Sequence, residues 1–209
     1  MDFLQSLLEN TPNSTNISGG IALANPFLPS EQESLNSTIY SELKPKVILP
    51  ELFGHILEVK LNKPKVNAID VAMSQDMGRA FALLRDDPDL WVGILTADGD
   101  RIFSAGWDLK ALNAGEMSLD NWWETSDYGI GGFGGLTENW QMNKPVICAL
   151  NGMAIGGGFE IAMSCDLIIA ADHVHFALPE MPLGIVPDAG ALQRLPRLIP
   201  RNIAMEMLL

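Results

Sequence analysis

From Val47 onward the apolar positions fall into short blocks separated by turn residues. VILPEL, a Phe53-Gly54-His55 turn and ILEVKLN, with Ile56, Leu57, Val59 and Leu61 apolar, predict a β-hairpin. Asp70 then stands as the cap of a helix running to about Leu84, on which Met73, Met77, Ala80, Phe81 and Leu84 recur at helical spacing. WVGILTAD predicts the next buried strand. Val146 to Leu150 predicts another, because a β-branched start with no polar break suits burial on both faces. Asn151-Gly152 turns the chain, and Gly156-Gly157-Gly158 opens a helix in which Phe159, Ile161, Ala162 and Met163 accompany Glu160. Leu167 to Ala170 and His175 to Leu178 follow as extended runs. Strand, helix and strand in repetition imply parallel pairing through crossover helices, which is the α/β class.

Residues 1 to 44 lack such a pattern. They are polar, rich in Ser, Asn, Glu and Pro, with one short apolar patch at Ile21 to Leu23, and are expected to form a poorly ordered extension ahead of a domain at 45–209. Their three Asn-x-Ser/Thr triplets carry no meaning without a secretory signal.

Composition changes this picture little and charge changes it more. A chain of 209 residues with 47% hydrophobic content fits one domain with a sizeable core. The formal net charge of −13 argues against nucleic acid or an anionic membrane as partner. Cys148 and Cys165 fall in a predicted strand and helix, so buried thiols rather than a disulfide framework are expected. The start MDFLQSLLENTPNS has neither a basic region before an apolar one nor an Arg-rich bias, and the expected location is the cytoplasm.

Candidate chemistry gathers at the glycine triplet. Three glycines at a helix start allow close backbone approach and leave N–H groups without helical acceptors, at the positive end of the helix dipole. A developing negative charge is stabilised in such a place. Glu160 lies in the first turn of this helix and Glu180 follows the next extended runs. Singly, each reads more readily as an ordinary acid; together, facing one site, they suit acid/base work because like charges push their pKa values apart. His173 and His175 alternate along the chain, but no third ligand stands at a metal-like spacing, and no metal site is expected.

NKPVICALNGMAIGGGFEIAMSCDLIIA, FALPEMPLGIVPDAGALQRLPRLIP and RIFSAGWDLK resemble the enoyl-CoA hydratase (crotonase) superfamily over about residues 47 to 209. The resemblance implies a crotonase-like spiral of repeated ββα units. It also implies an acyl-CoA thioester substrate, homo-oligomers (a trimer or a dimer of trimers), and no resident cofactor beyond the coenzyme A of the substrate. It maps the oxyanion donors to the backbone N–H groups of Trp107 and Gly157, beside Gly156. The segment Ser104-Ala105-Gly106 becomes the place that receives the adenine, and Lys110 a phosphate contact. Asp188 matches an acid carried by some isomerases, placed to assist Glu160 and Glu180. Lys63, Lys65, Arg101 and Lys110 flank the motif segments as a local basic patch within an acidic chain.

The reaction implied is hydration or dehydration of a CoA thioester through an enolate. A general enoyl-CoA hydratase or isomerase and a non-catalytic CoA-ester binder are the alternatives. Residues 111 to 140 contain Trp122, Trp123, Trp140 and the literal G-x-G-x-x-G Gly129 to Gly134. With no strand before it and no secure helix after it, this is no dinucleotide site. A mobile, tryptophan-bearing loop over the acyl group is expected instead, suited either to a trimethylammonium group, which aromatic faces attract, or to a plain apolar chain. Family members continue beyond the position of Leu209. The chain is therefore expected to lack the family's C-terminal helical part, and Ile203, Ala204, Met207 and Leu208 are expected to need a partner surface.

Overall fold

The computed structural model describes residues 48–114 and 127–209, all within the unit that runs from Ser37 to Leu209. The extension at 1–44 and the pair Trp122 and Trp123 lie outside the described residues.

The predicted hairpin is present as β1 (Ile48–Phe53) and β2 (Ile56–Leu61), antiparallel, with Phe53 opposite Ile56. Helix α1 (Val71–Asp86) begins at Asp70, whose carboxylate accepts the Met73 N–H at 2.8 Å. Its apolar stripe, Met73, Met77, Ala80, Phe81 and Leu84, is fully buried. After it come β3 (Val92–Ala97) and β5 (Val146–Leu150), which join β2 in parallel. Strand β7 (Leu167–Ala170) completes a five-stranded sheet of order β1-β2-β3-β5-β7.

A second sheet, all parallel, is made of β4 (Ile102–Ser104), β6 (Met153–Ile155) and β8 (Phe176–Ala177) in the order β4-β6-β8. Each of its strands follows a strand of the large sheet after a short turn, so β3 and β4, β5 and β6, β7 and β8 form three successive pairs. Helix α2 (Leu109–Asn113) follows the first pair and α3 (Gly157–Ala162) the second. This is the repeated strand–strand–helix plan. Two short helices, α4 (Ala191–Leu198) and α5 (Arg201–Leu208), end the chain. Helix α5 buries Ala204 and Leu208, while Ile203 stays exposed.

The structure departs from the sequence reading at the glycine-rich segment, expected to be a mobile loop. From Tyr128 to Thr137 it is instead packed onto α1: Phe133 is fully buried, the Gly134 N–H donates to the Ser74 hydroxyl, and a Cβ on Gly78 would collide with the Ile130 carbonyl. The glycines serve close backbone contact here, and Gly135 (φ +69°) fits where a side chain would strike the α1 backbone. Trp140 is 82% exposed. Strand β7, the extended run expected at Leu167 to Ala170, lies exposed at the sheet edge, with Leu167 at 58% and Ile169 at 42%.

Candidate active site

The β5-to-α3 connection places the site. Strand β6 ends at Ile155, and Gly156, at φ +52°, turns the chain into α3. Gly157 is the first residue of α3, so its N–H has no acceptor within the helix. No side chain fits at Gly157: a Cβ there would lie 2.7 Å from the Phe133 ring and 3.0 Å from the Trp107 ring.

Trp107 reaches this place through a parallel bridge to Ile69. The Gly106 carbonyl accepts the Ile69 N–H at 2.7 Å, and a trans peptide sets the Trp107 N–H on the opposite side, away from Ile69. Gly106 itself lies against the backbone of Gly157, which a Cβ would approach to 2.7 Å. Buried Ser104 holds this turn: its hydroxyl donates to the Asn67 carbonyl at 2.8 Å and accepts the Gly106 N–H at 3.1 Å. Ala105 is tied to Val66 by a backbone hydrogen bond and lines the cavity described next.

A cavity of about 510 Å³ opens between these segments. Its lining includes Ala105, Trp107, Gly156, Gly157, Glu160, Glu180 and Asp188, together with Leu109, Asn113, Ile155, Leu183, Ile185 and Val186. The structure therefore brings both glutamates, the glycine pair, Trp107 and Asp188 to one apolar space. Glu160 is 2% and Glu180 8% exposed, whereas Asp188 is exposed. Burial pushes the Glu160 carboxyl up to about 7, with the charges of Glu180 and Asp188 adding to the rise and the Ala191 N–H and Arg194 opposing it. Burial likewise raises Glu180, beside Asp188. Glu160 Oε1 accepts the Ala191 N–H at 2.9 Å. Glu180 Oε1 sits where a Cβ on Gly156 would be 2.7 Å away, and its Oε2 is buried with no hydrogen-bond partner among the described residues.

The cations expected to receive phosphates lie apart from this lining. The Lys63 ammonium is held by Asp70 at 2.5 Å and Asp108 at 2.8 Å, tying the start of α1 to the turn after Trp107. Burial alone would lower its pKa, but the two carboxylates raise it. Lys65, at φ +76°, and Arg101 are exposed. Lys110 is exposed on α2, whose Leu109 and Asn113 do line the cavity.

Sequence reading did not find Ala191, Arg194 or the apolar lining. A donor from the backbone has no residue signature, and Arg194 becomes visible only once α4 folds back over Glu160. The run Leu183 to Val186 was legible as apolar but not as cavity wall. Among the described residues no three His, Cys, Asp or Glu side chains gather as a metal site would require, and the His173 ring bonds the carbonyls of Asp100 and Asn151.

Comparison with known proteins adds a family to this geometry. Residues 52–209 match the family model for enoyl-CoA hydratase/isomerase. Carnitinyl-CoA dehydratase of Salmonella arizonae is 54% identical over 156 residues, 75% of this chain and 58% of that protein. The protein of the same name from Proteus mirabilis is 53% identical over the same shares. This chain thus spans 58% of the length of these curated relatives. Among solved structures, a carnitinyl-CoA dehydratase from Mycobacterium avium superposes with a TM-score of 0.69 at 36% identity, over 78% of this chain and 61% of that one. An enoyl-CoA hydratase from Mycobacterium tuberculosis gives 0.68 at 38% identity, over 78% and 61%.

Proposed function

The chain belongs to the enoyl-CoA hydratase/isomerase family, and from that premise we propose that it is a CoA-thioester hydro-lyase interconverting carnitinyl-CoA and crotonobetainyl-CoA. The observation that carries this reading is the pair Glu160 and Glu180, both buried, both raised in pKa and both facing one cavity beside the first N–H of α3. Two carboxyl groups are costly to bury with no ion pair, and neither has one among the described residues; proton transfer is the use that justifies the cost.

In this reading the thioester oxygen lies between the N–H groups of Trp107 and Gly157, which meet the charge of the enolate as it forms. One glutamate exchanges the α-proton and the other handles water at the β-carbon. Glu180 Oε2, buried without a hydrogen-bond partner among the described residues, fits a group whose partner is substrate or water. Asp188 keeps a negative field at the mouth of the cavity. The Ser104-Ala105-Gly106 turn receives the adenine, and Lys110, with Lys65, faces the phosphates. Coenzyme A enters with the substrate, the chemistry calls on no other cofactor, and the assembly is a homo-oligomer.

The acyl group is proposed from two features. Trp107 is the tryptophan that lines the cavity among the described residues, and three carboxylates share the space. Both favour a trimethylammonium group, the aromatic face by roughly 0.5–2 kcal/mol. The apolar wall of Ile155, Leu183, Ile185 and Val186 favours the second reading, a general enoyl-CoA hydratase. A panel of CoA thioesters with and without the trimethylammonium group decides between them. At least about tenfold higher kcat/KM on the cationic esters, lost selectively in Trp107→Ala, supports the first; equal rates on plain enoyl esters select the second.

A further inference from the structure

Helix α4 carries a cation at the end where a helix least tolerates one. Arg194 lies in its first turn, and its guanidinium turns back toward the helix start, where the macrodipole is positive. It is half-buried, and among the described residues no carboxylate comes within ion-pair distance of it. Its two terminal nitrogens are used on backbone instead: Nη1 donates to the Ala189 carbonyl at 3.1 Å and Nη2 to the Thr137 carbonyl at 2.7 Å. Gly190 between them has φ +124°, and a Cβ there would collide with Nη1, so the glycine makes room for the guanidinium. The next residue, Ala191, is the one whose N–H meets Glu160 Oε1.

We propose that Arg194 is a positioning residue for Glu160: clamped between the Ala189 and Thr137 carbonyls, its guanidinium fixes the Gly190-Ala191 backbone so that the Ala191 N–H holds the Glu160 carboxylate facing the cavity. The clamp joins three segments distant in sequence. Thr137 closes the glycine-rich segment packed on α1, Ala189 ends the loop that carries Asp188, and Glu160 belongs to α3. A planar fork with fixed donors spans two carbonyls in a way that a lysine ammonium does not. The charge also acts on Glu160 directly, against the opposite influence of Glu180 and Asp188, while burial lowers the pKa of Arg194 and Glu160 and Cys165 support it. This assignment rests on the proposed acid/base role of Glu160 for its kinetic consequence only.

The test uses Arg194→Met and Arg194→Lys, with the Glu160 carboxyl titrated by infrared difference spectroscopy against a Glu160→Gln background. In the Met variant the Glu160 midpoint rises from about 7 by at least about half a pH unit, kcat falls about tenfold and KM changes less than about threefold. The Lys variant keeps the midpoint near that of the parent but still loses kcat, because charge is retained and the two-carbonyl clamp is not. Unmoved midpoints with parental kcat in both variants overturn the assignment, as does a fall in melting temperature with neither readout changed. Should the Met variant fail to fold, the kcat-against-KM split of the Lys variant decides alone. If the parent turns over no CoA ester, the proposed function falls, and the Glu160 titration still decides the role of Arg194.

Discussion

At Glu160 the folded chain holds a carboxyl group whose pKa lies near 7 rather than the ordinary 4.5. A raised pKa means that folding favours the protonated form. Stability from this group is complete below about pH 4.5 and is lost as pH rises to about 7, reaching a burden of about 3 kcal/mol beyond it. Glu160→Gln resembles the protonated acid and keeps an oxygen for the Ala191 N–H. It is therefore expected to melt higher than the parent at pH 8, with the gap closing toward pH 4.5, while kcat drops by about 10²–10⁴. Thermal scans across pH and a hydratase assay check both; a gap independent of pH removes the buried acid from the account. Glu180→Gln should show a comparable loss of kcat. The two acids were legible in sequence because glutamate next to a glycine triplet, and in an LPE turn, is unusual in apolar surroundings. Lys63 was not, since a lysine near a motif looks the same whether it faces a ligand or, as here, two aspartates.

Among the elements, α1 and the large-sheet strands were readable because each carries several apolar residues at one period. Of the second sheet, β8 lies within the extended run His175 to Leu178 that the sequence shows, whereas β4 and β6, of three residues each, are too short to show any period. The glycine-rich segment misled for a different reason. Glycine permits both freedom and close approach, and only the presence of α1 beneath it decides which. Gly78 of α1 turns this into a prediction of sign. On helix propensity alone Gly78→Ala would stabilise by about 1 kcal/mol. The new methyl, however, would collide with the Ile130 carbonyl, and backbone does not move aside as a side chain end does. A net loss of about 1–3 kcal/mol is expected, read as a lower denaturation midpoint at unchanged slope. A gain would show that the segment is loosely held.

For the whole molecule, sequence reached the fold through family resemblance and period together, but convergence at the cavity depends on topology. Glu160, Glu180 and Asp188 meet because successive strand pairs return their connections to one end, which no local pattern displays. Exposure is another global property that local pattern does not display. Leu167 to Ala170 is wholly apolar, as strands covered on both faces are, yet it forms the edge of the five-stranded sheet with its side chains open. An exposed apolar edge carries unpaired backbone groups beside a surface that water disfavours, and such edges associate. The net charge of −13 opposes close approach at low salt and is screened within about 8 Å at physiological ionic strength. The chain is therefore expected to self-associate more as salt rises, and Ile169→Lys, which sets a charge on the exposed edge, should suppress this without lowering the melting temperature by more than a few degrees. Light scattering against protein and salt concentration checks it. Association that is equal in the parent and the lysine variant would place the contact elsewhere on the surface.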